Sequence, residues 1–287
     1  MIIITGGTGT LGAQIVDRLL KRVPADRVGV SVRDTSRAGD LAARGVRVRR
    51  GDFTDTYSLA EAFEGATQVL IVSTNQIGEA AITQHMAAID AARDAGVRRI
   101  LYTSHQGAAD KSVFPPMPNH AATERYLVQT STPFTALRNG FYASTVPLLL
   151  GQALETGELV VPADGPVSWT THADLAEATA ITLADEGRFD GPTPPLTAPD
   201  ALDFSDIADI LTELTGRTIR RIVADDSEWT ASLIGHGMPA DQAAILLDMF
   251  QAARRGEFAT TGGELENLLQ RPATPLRSVL EAAVSRR

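Results

Sequence analysis

Ile2-Ile3-Ile4-Thr5-Gly6-Gly7-Thr8-Gly9-Thr10-Leu11-Gly12 opens the chain, and the reading of this stretch decides the fold. The β-branched run reads as a buried strand, Gly6, Gly9 and Gly12 break it, and residues 11–22 then repeat their apolar positions at helical spacing. Glycines at this spacing suit a tight turn, a close backbone approach to a ligand and close packing of helix on strand. The helix beginning near Thr10 points free N–H groups and the positive end of its dipole at the turn, which makes an anion site. A plain strand–helix turn would not need three glycines and their entropy cost. Gly6, Thr8, Gly9, Thr10, Leu11 and Gly12 are therefore expected to cradle the pyrophosphate of a dinucleotide.

Working outward, short apolar runs at 28–32, 46–48, 69–72, 100–102 and 134–137 alternate with helical patterns at 58–63, 79–95 and 119–130. Nearly continuous apolar strands separated by helices predict an α/β fold, a doubly wound parallel sheet of Rossmann type. Beyond residue 145 the regularity fades, and Pro162, Pro166, Pro192, Pro194, Pro195 and Pro199 break long elements. Helical patterns remain at 174–185, 205–215, 239–254 and 275–284, with a strand at 218–223. The expected division is a dinucleotide-binding domain over 1–145 and a smaller, mixed, mostly helical subdomain over 146–287. Some segments of the second half are expected to return to the main sheet and to close over its carboxyl edge.

Composition removes several function classes. The formal net charge of −9 opposes a polyanionic partner. The densest basic run, Arg47, Arg49 and Arg50, alternates with valines like a solvated strand edge. There is no cysteine, so disulfides, thiolate metal sites and cysteine nucleophiles are excluded. The five histidines form no His-x-x-x-His pair, and no metal site is expected. No apolar run reaches the roughly 20 residues that span a bilayer, and no secretory signal precedes Ile2, so cytoplasmic residence is expected.

The second strand ends at Val32-Arg33-Asp34, roughly 20 residues past the last glycine, where the ribose-reading residue of such folds falls. Arg33 fits a 2′-phosphate and predicts NADP(H), with Arg37 as a second clamp; Asp34, if it faced the ribose, would favour NAD. Asp52 and Phe53 follow the third strand and are placed at the adenine, although Asp52 has an equal reading as a turn former. Ser73, Thr74 and Asn75 follow the fourth strand and are placed beside the ribose on the nicotinamide side.

The chain resembles the NmrA-like atypical short-chain dehydrogenases, and within them the type 2 NAD(P)H:quinone oxidoreductases and triphenylmethane dye reductases. The resemblance rests on the glycine loop, Gly51-Asp52, Tyr102-Thr103-Ser104, His120-x-x-Thr123-Glu124, Arg138-Asn139-Gly140-Phe141-Tyr142 and Leu269-Gln270-Arg271-Pro272. It implies a Rossmann domain, an NADPH cofactor and hydride transfer to quinones or similar conjugated acceptors. The wider superfamily uses Tyr-x-x-x-Lys for proton transfer. Here His120 falls at the lysine position and Pro116 at the tyrosine position. Simple alcohol dehydrogenation loses its acid, whereas a quinone or cationic dye needs none.

His120, Asn139 and Tyr142 are the expected catalytic residues. His120, near a helix N-terminus, is expected to be a neutral donor that holds the nicotinamide ribose or a substrate oxygen. Asn139 ends the sixth strand and would position the substrate or the nicotinamide amide. Phe141 and Tyr142 read as an apolar wall or as core aromatics. Ser104, with His105 at the end of the fifth strand, matches the superfamily serine and is counted with the cofactor residues. The apolar loop 106–118 reads as a lid or as a disordered surface loop. Trp169 and Trp229 read as pocket lining or core, and Asp174 as a helix N-cap. The expected partners are a small quinone or aromatic acceptor and at most a second copy of the chain in a homodimer, with neither nucleic acid nor membrane. Two other functions fit the same motifs: a non-catalytic NADP(H)-sensing regulator of the NmrA type, and a biosynthetic reductase of an aromatic metabolite.

Overall fold

A computed structural model of the chain describes residues 1–285. The strands are β1 (Ile2–Thr5), β2 (Val28–Val32), β3 (Arg47–Arg50), β4 (Gln68–Ile71), β5 (Arg99–His105), β6 (Phe134–Asn139), β7 (Glu158–Pro162), β8 (Gly191–Pro192) and β9 (Arg220–Ala224). Seven of them form one parallel sheet in the order β3-β2-β1-β4-β5-β6-β8, and β7 and β9 pair in parallel as a second, two-stranded sheet. The strand order reverses between β1 and β4, and ligands of doubly wound sheets bind at the carboxyl ends of the strands at that switch point. β1 is buried along its whole length because it lies inside the sheet, with Ile2 paired to Val28 on one side and Gln68 on the other.

The helices of the first half are α1 (Thr10–Leu19), α2 (Gly39–Ala43), α3 (Thr56–Phe63), α4 (Glu79–Asp94) and α5 (Pro116–Gln129). α1 buries Leu11, Ile15, Val16 and Leu19 against the sheet, at about 1.5–3 kcal/mol for each large side chain. It ends three residues before the sequence pattern does. Arg22 leaves the helical ladder, bonding to the Leu19 carbonyl, and pairs with Glu177. The opposite face carries α3, α4 and α5, packed through Leu59, Phe63, Ile89, Ala92 and Leu127.

The later helices are α6 (Val146–Leu149), α7 (Ala153–Thr156), α8 (His172–Ala184), α9 (Phe204–Thr215), α10 (Asp226–Gly235), α11 (Ala240–Arg254), α12 (Glu264–Leu269) and α13 (Leu276–Val284). They do not all lie apart from the first half. α8 shares a core with α1 through Leu175, Ala176, Ala178 and Leu183, α12 packs on α8 through Leu265 and Leu268, and β8 extends the main sheet beside β6. The remainder encloses its own core around Trp169, Phe204, Phe250 and Phe258. Both tryptophans belong to this core: Trp169 is 2% exposed with its indole N–H on the Leu202 carbonyl, and Trp229 packs edge-on against Phe250.

Several other expectations are corrected. Arg47 and Arg49 are not merely solvated: they bond to the Ala62, Glu64 and Glu61 carbonyls at the C-terminus of α3, where cations are favoured. Asp174 is not the N-cap of α8. Thr171 is the cap, and the Asp174 carboxylate instead takes Arg271, Thr274 and the Thr171 hydroxyl, tying the chain's C-terminal segment to the helix. No helix of the described residues is long and apolar enough to cross a membrane.

Candidate cofactor and active site

At the switch point the glycine turn has the geometry its sequence suggests. Gly6 is in the left-handed region at φ +62° and donates to the Ser31 carbonyl at 3.0 Å, and Gly9 donates to the Gly6 carbonyl at 2.9 Å. A Cβ on Gly12 would stand 2.2 Å from the Gly6 carbonyl oxygen, so α1 starts hard against the turn. Gly7 has an equally strict reason that its spacing did not disclose: a Cβ there would lie 2.6 Å from Val30 Cγ1. Gly9 is the N-cap of α1 and no side chain caps it, which leaves the helix's first donors to a ligand.

Beyond β2, Arg33 and Arg37 are exposed, and neither makes an ion pair among the described residues. Asp34 is turned to another task. Its Oδ1 accepts from the Ser36 amide at 3.0 Å and the Ser36 hydroxyl at 2.6 Å, and these bonds lower its pKa. Asp52 does the same for the next turn, accepting from the Thr54 amide at 2.9 Å and the Thr54 hydroxyl at 2.8 Å. Of its two sequence readings, this contact carries the turn-forming one. Phe53 packs against the core on the α3 side of the sheet.

The loop after β4 is pinned by side chains from beneath. The Val72 amide donates to Thr5 Oγ1 at 2.8 Å, the Ser73 amide to Thr103 Oγ1 at 2.8 Å and the Thr74 amide to His85 Nε2 at 3.0 Å, while Asn75 is exposed. The last of these contacts fixes a chain of protons. Because an amide can only donate, His85 Nε2 is an acceptor and its Nδ1 carries the hydrogen. That hydrogen goes to Thr123 Oγ1 at 2.9 Å, and the Thr123 hydroxyl in turn donates to the Asn119 carbonyl at 2.8 Å. The buried Tyr102 hydroxyl lies 3.4 Å from His85 Nδ1, which has no lone pair to offer, and 2.7 Å from His120 Nδ1, the one other hydrogen-bond partner of this hydroxyl among the described residues and so the one acceptor for its hydrogen. Tyr102 therefore donates to His120, whose hydrogen sits on Nε2. Burial together with His105 and His85 holds its pKa well below the ordinary value, which keeps the ring neutral.

Burial also lowers His85 to about 4 from the ordinary value of 6.5. The unfolded chain then binds this proton more readily than the folded one. Stability is complete above the unfolded value and is lost as pH falls toward the folded one. For His85 alone the loss is on the order of 3 kcal/mol across that window. Thermal unfolding midpoints measured from pH 7.5 downward are expected to start falling below about 6.5, before the carboxylates titrate. A midpoint constant between pH 7 and 5 would contradict this burial argument.

Glu124 and Arg138, both within the motifs that carry the family resemblance, form a joint between α5 and β6. Arg138 grips the carboxylate through Nε at 3.1 Å and its terminal nitrogen at 2.7 Å. Ser104, expected at the cofactor, instead donates to the same carboxylate at 2.6 Å and is buried. The joint fixes the ends of β5 and β6 relative to His120. Asn139, next in β6, is 1% exposed, and neither its amide nitrogen nor its amide oxygen has a partner among the described residues. Buried amides are almost always bonded, and the Tyr142 hydroxyl is the polar group set beside this one, where the amide lowers the phenol's pKa against the effect of burial. Tyr142 stacks on His172 with ring centroids 4.2 Å apart, and burial pushes its phenol up to about 12, which keeps it protonated.

The loop before α5 is ordered rather than a free surface loop. Ser112 bonds to Glu257, and Phe114 contacts Phe141 and Phe258 at centroid distances of 5.7 and 5.8 Å. His105 joins this cluster edge-on to Phe141 at 5.5 Å and Phe258 at 5.6 Å. Sequence reasoning missed Phe258, His85 and Tyr102 as parts of the site. Only Tyr102 lay in a quoted motif, and nothing local marks a residue 152 positions from Gln106 whose carbonyl that glutamine binds.

Fold and site together define a dinucleotide-binding protein of the doubly wound class. The chain belongs to the NmrA-like family, whose model matches residues 1–280. It is 33% identical to quinone oxidoreductase 2 of Escherichia coli strain K12 over 277 residues, which is 96% of each chain. It superposes on the Citrobacter sp. triphenylmethane reductase complexed with NADP(H) with a TM-score of 0.92 and 33% identity, covering 99% of this chain and all of that one. The E. coli NADPH-dependent quinone oxidoreductase complexed with NADPH gives a TM-score of 0.91 at 32% identity, covering 100% of this chain and 99% of that one.

Proposed function

We propose that this protein is an NADPH-dependent oxidoreductase that reduces a quinone or similar conjugated small-molecule acceptor, and that it works in the cytoplasm. The observation that carries the reading is the meeting, at one sheet edge, of the glycine cradle that only Cβ-free residues can form and the enclosed, unpartnered Asn139 amide. Full-length similarity to NADPH-dependent reductases supports it.

The bound cofactor supplies a hydride. The chain supplies the rest. The turn from Gly6 to Gly12, with Thr8, Thr10 and Leu11, and the uncapped start of α1 hold the pyrophosphate. Arg33, aided by Arg37, holds the 2′-phosphate, and the engagement of Asp34 with Ser36 removes the carboxylate that would oppose it. Asp52 and Phe53 border the adenine. Ser73, Thr74 and Asn75 border the second ribose. Asn139 orients the nicotinamide or the acceptor, His120 offers its Nε2–H, and Tyr142 closes the side toward His172. Phe114, Phe141 and Phe258 exclude water from the reacting atoms.

The purified protein is expected to oxidise NADPH when given a panel of quinones and dyes. Absence of turnover with every acceptor, combined with equal affinity for NADPH and NADP⁺, would overturn this reading in favour of a regulatory sensor. Arg33→Asp is expected to weaken NADPH binding by about ten- to a hundredfold, as befits loss of a charge-assisted phosphate contact, while leaving NADH binding within a few-fold. Titration with both cofactors measures this, and an unchanged preference would remove Arg33 from the phosphate site.

A further inference from the structure

Building on that reading, we propose that His105 is a second catalytic donor, paired with His120. Their two Nε2–H groups together hold the anionic oxygen that develops on a neutral carbonyl acceptor, which makes carbonyl acceptors such as quinones, rather than cationic dyes, the substrates the site is built to accelerate. His105 has no counterpart among the expected proton-transfer residues, but its tautomer is as firmly fixed as that of His120. The Gly107 amide donates to His105 Nδ1 at 3.0 Å, so the hydrogen of this ring also sits on Nε2. The two imidazoles lie nearly parallel, 25° apart with centroids 6.1 Å from each other. Among the described residues neither Nε2 has a hydrogen-bond partner, and neither is among the enclosed unpartnered atoms, so each keeps some exposure. Phe141 and Phe258 pack their rings against His105 and hold it in place.

Burial keeps His105 neutral, lowering it to about 3. A neutral imidazole can still polarise a carbonyl, and fixed donors in a water-poor recess cost no reorganisation when charge appears. The charge balance then separates two acceptor classes. A quinone that gains a hydride from NADPH takes up two electrons and one hydrogen nucleus. Its oxygen becomes negative until water delivers the second proton, and NADP⁺ is the oxidised product. A triarylmethyl cation that gains the same hydride becomes neutral, so no anion develops and the two N–H groups have nothing to stabilise.

The test compares wild type, His105→Phe and His105→Gln with a neutral benzoquinone and with a triarylmethyl cation dye. His105→Phe preserves the aromatic packing and removes the donor, and it is expected to lower kcat/KM for the quinone by about a hundredfold, the usual cost of one oxyanion donor. Dye reduction is expected to stay within threefold. His105→Gln, which keeps an N–H, is expected to recover at least tenfold of the quinone loss. An activity-independent readout uses 4-nitrophenolate with NADP⁺ at pH 8, and His105→Phe is expected to weaken its binding about tenfold. Equal losses on quinone and dye, or no loss on either, overturn the proposal. So does a His105→Gln that folds yet recovers nothing. A wild type that reduces neither acceptor strikes instead at the reductase reading on which the proposal rests.

Discussion

Replacing Gly12 with alanine is expected to abolish NADPH binding, with an affinity loss of at least a hundredfold and a destabilised fold. The new methyl carbon would stand 2.2 Å from the Gly6 carbonyl oxygen and 2.9 Å from its carbonyl carbon. Both are backbone atoms and cannot rotate away. Gly6 is itself fixed, because its positive φ and its bond to the Ser31 carbonyl anchor the turn to β2. Relief therefore has to come from α1 moving outward, and α1 is held by its buried Leu11, Ile15, Val16 and Leu19 and by the ion pairs of Arg18 and Arg22 with Glu177 on α8. Overpacking of this kind costs about 1–3 kcal/mol or more. It also displaces the uncapped donors at the start of α1. Gly39→Ala is a suitable control, since a Cβ there meets nothing within 4 Å. Fluorescence titration with NADPH and a thermal melt check both parts. A Gly12→Ala protein that binds within threefold of wild type would show that α1 can shift freely.

This contrast also explains what the sequence could disclose. The glycine turn and the alternation of apolar strands and helices are local patterns: the alternation calls for a parallel sheet covered by helices on both faces, and the glycine turn after the first strand selects the doubly wound form of it. Long periodic elements such as α4 and α11 were legible for the same reason. β7 was not, because it alternates buried and exposed positions between prolines and glycines in a two-stranded sheet whose partner lies about sixty residues on. β8 is two residues long and owes its place in the sheet to the neighbouring β6 alone.

The site divides along the same line. Asn139 and His120 could be named because a strand end and a helix start are positions that sequence can locate. Their chemistry could not be completed, because it depends on partners brought together by packing. His85, thirty-five residues before His120, sets the proton positions through Tyr102 and Thr123. Ser104 fell at the expected strand end, yet its hydroxyl turns toward α5 because Glu124, held by Arg138, is the stronger acceptor at hand. In the His-x-x-Thr-Glu spacing Thr123 and Glu124 hold the scaffold, while His120 keeps its Nε2 without a partner among the described residues. Spacing alone does not tell these apart, since all three lie on one side of α5.

Asn139→Leu is expected to make the protein more stable and nearly inactive, and the opposite signs are what distinguish a ligand-facing amide from a structural one. Asparagine and leucine have the same number of side-chain heavy atoms and both branch at Cγ, so the swap opens no cavity at the end of β6, and the larger methyl groups are its steric cost. It removes two enclosed polar atoms that have no partner among the described residues. An unsatisfied buried group costs about 1–3 kcal/mol, and the thermal midpoint of the ligand-free protein is expected to rise by about 2 °C for each kcal/mol recovered in a chain of this size. Turnover is expected to fall by about a hundredfold or more, since misplacing a reactant by an ångström costs that much. NADPH affinity should drop less, because the pyrophosphate and 2′-phosphate contacts lie at the other end of the cofactor. An amide engaged by the protein itself would give the reverse stability result: its loss would leave a partner unpaired, and Asn139→Leu would melt earlier than wild type. A lower midpoint with activity retained would therefore return Asn139 to the scaffold.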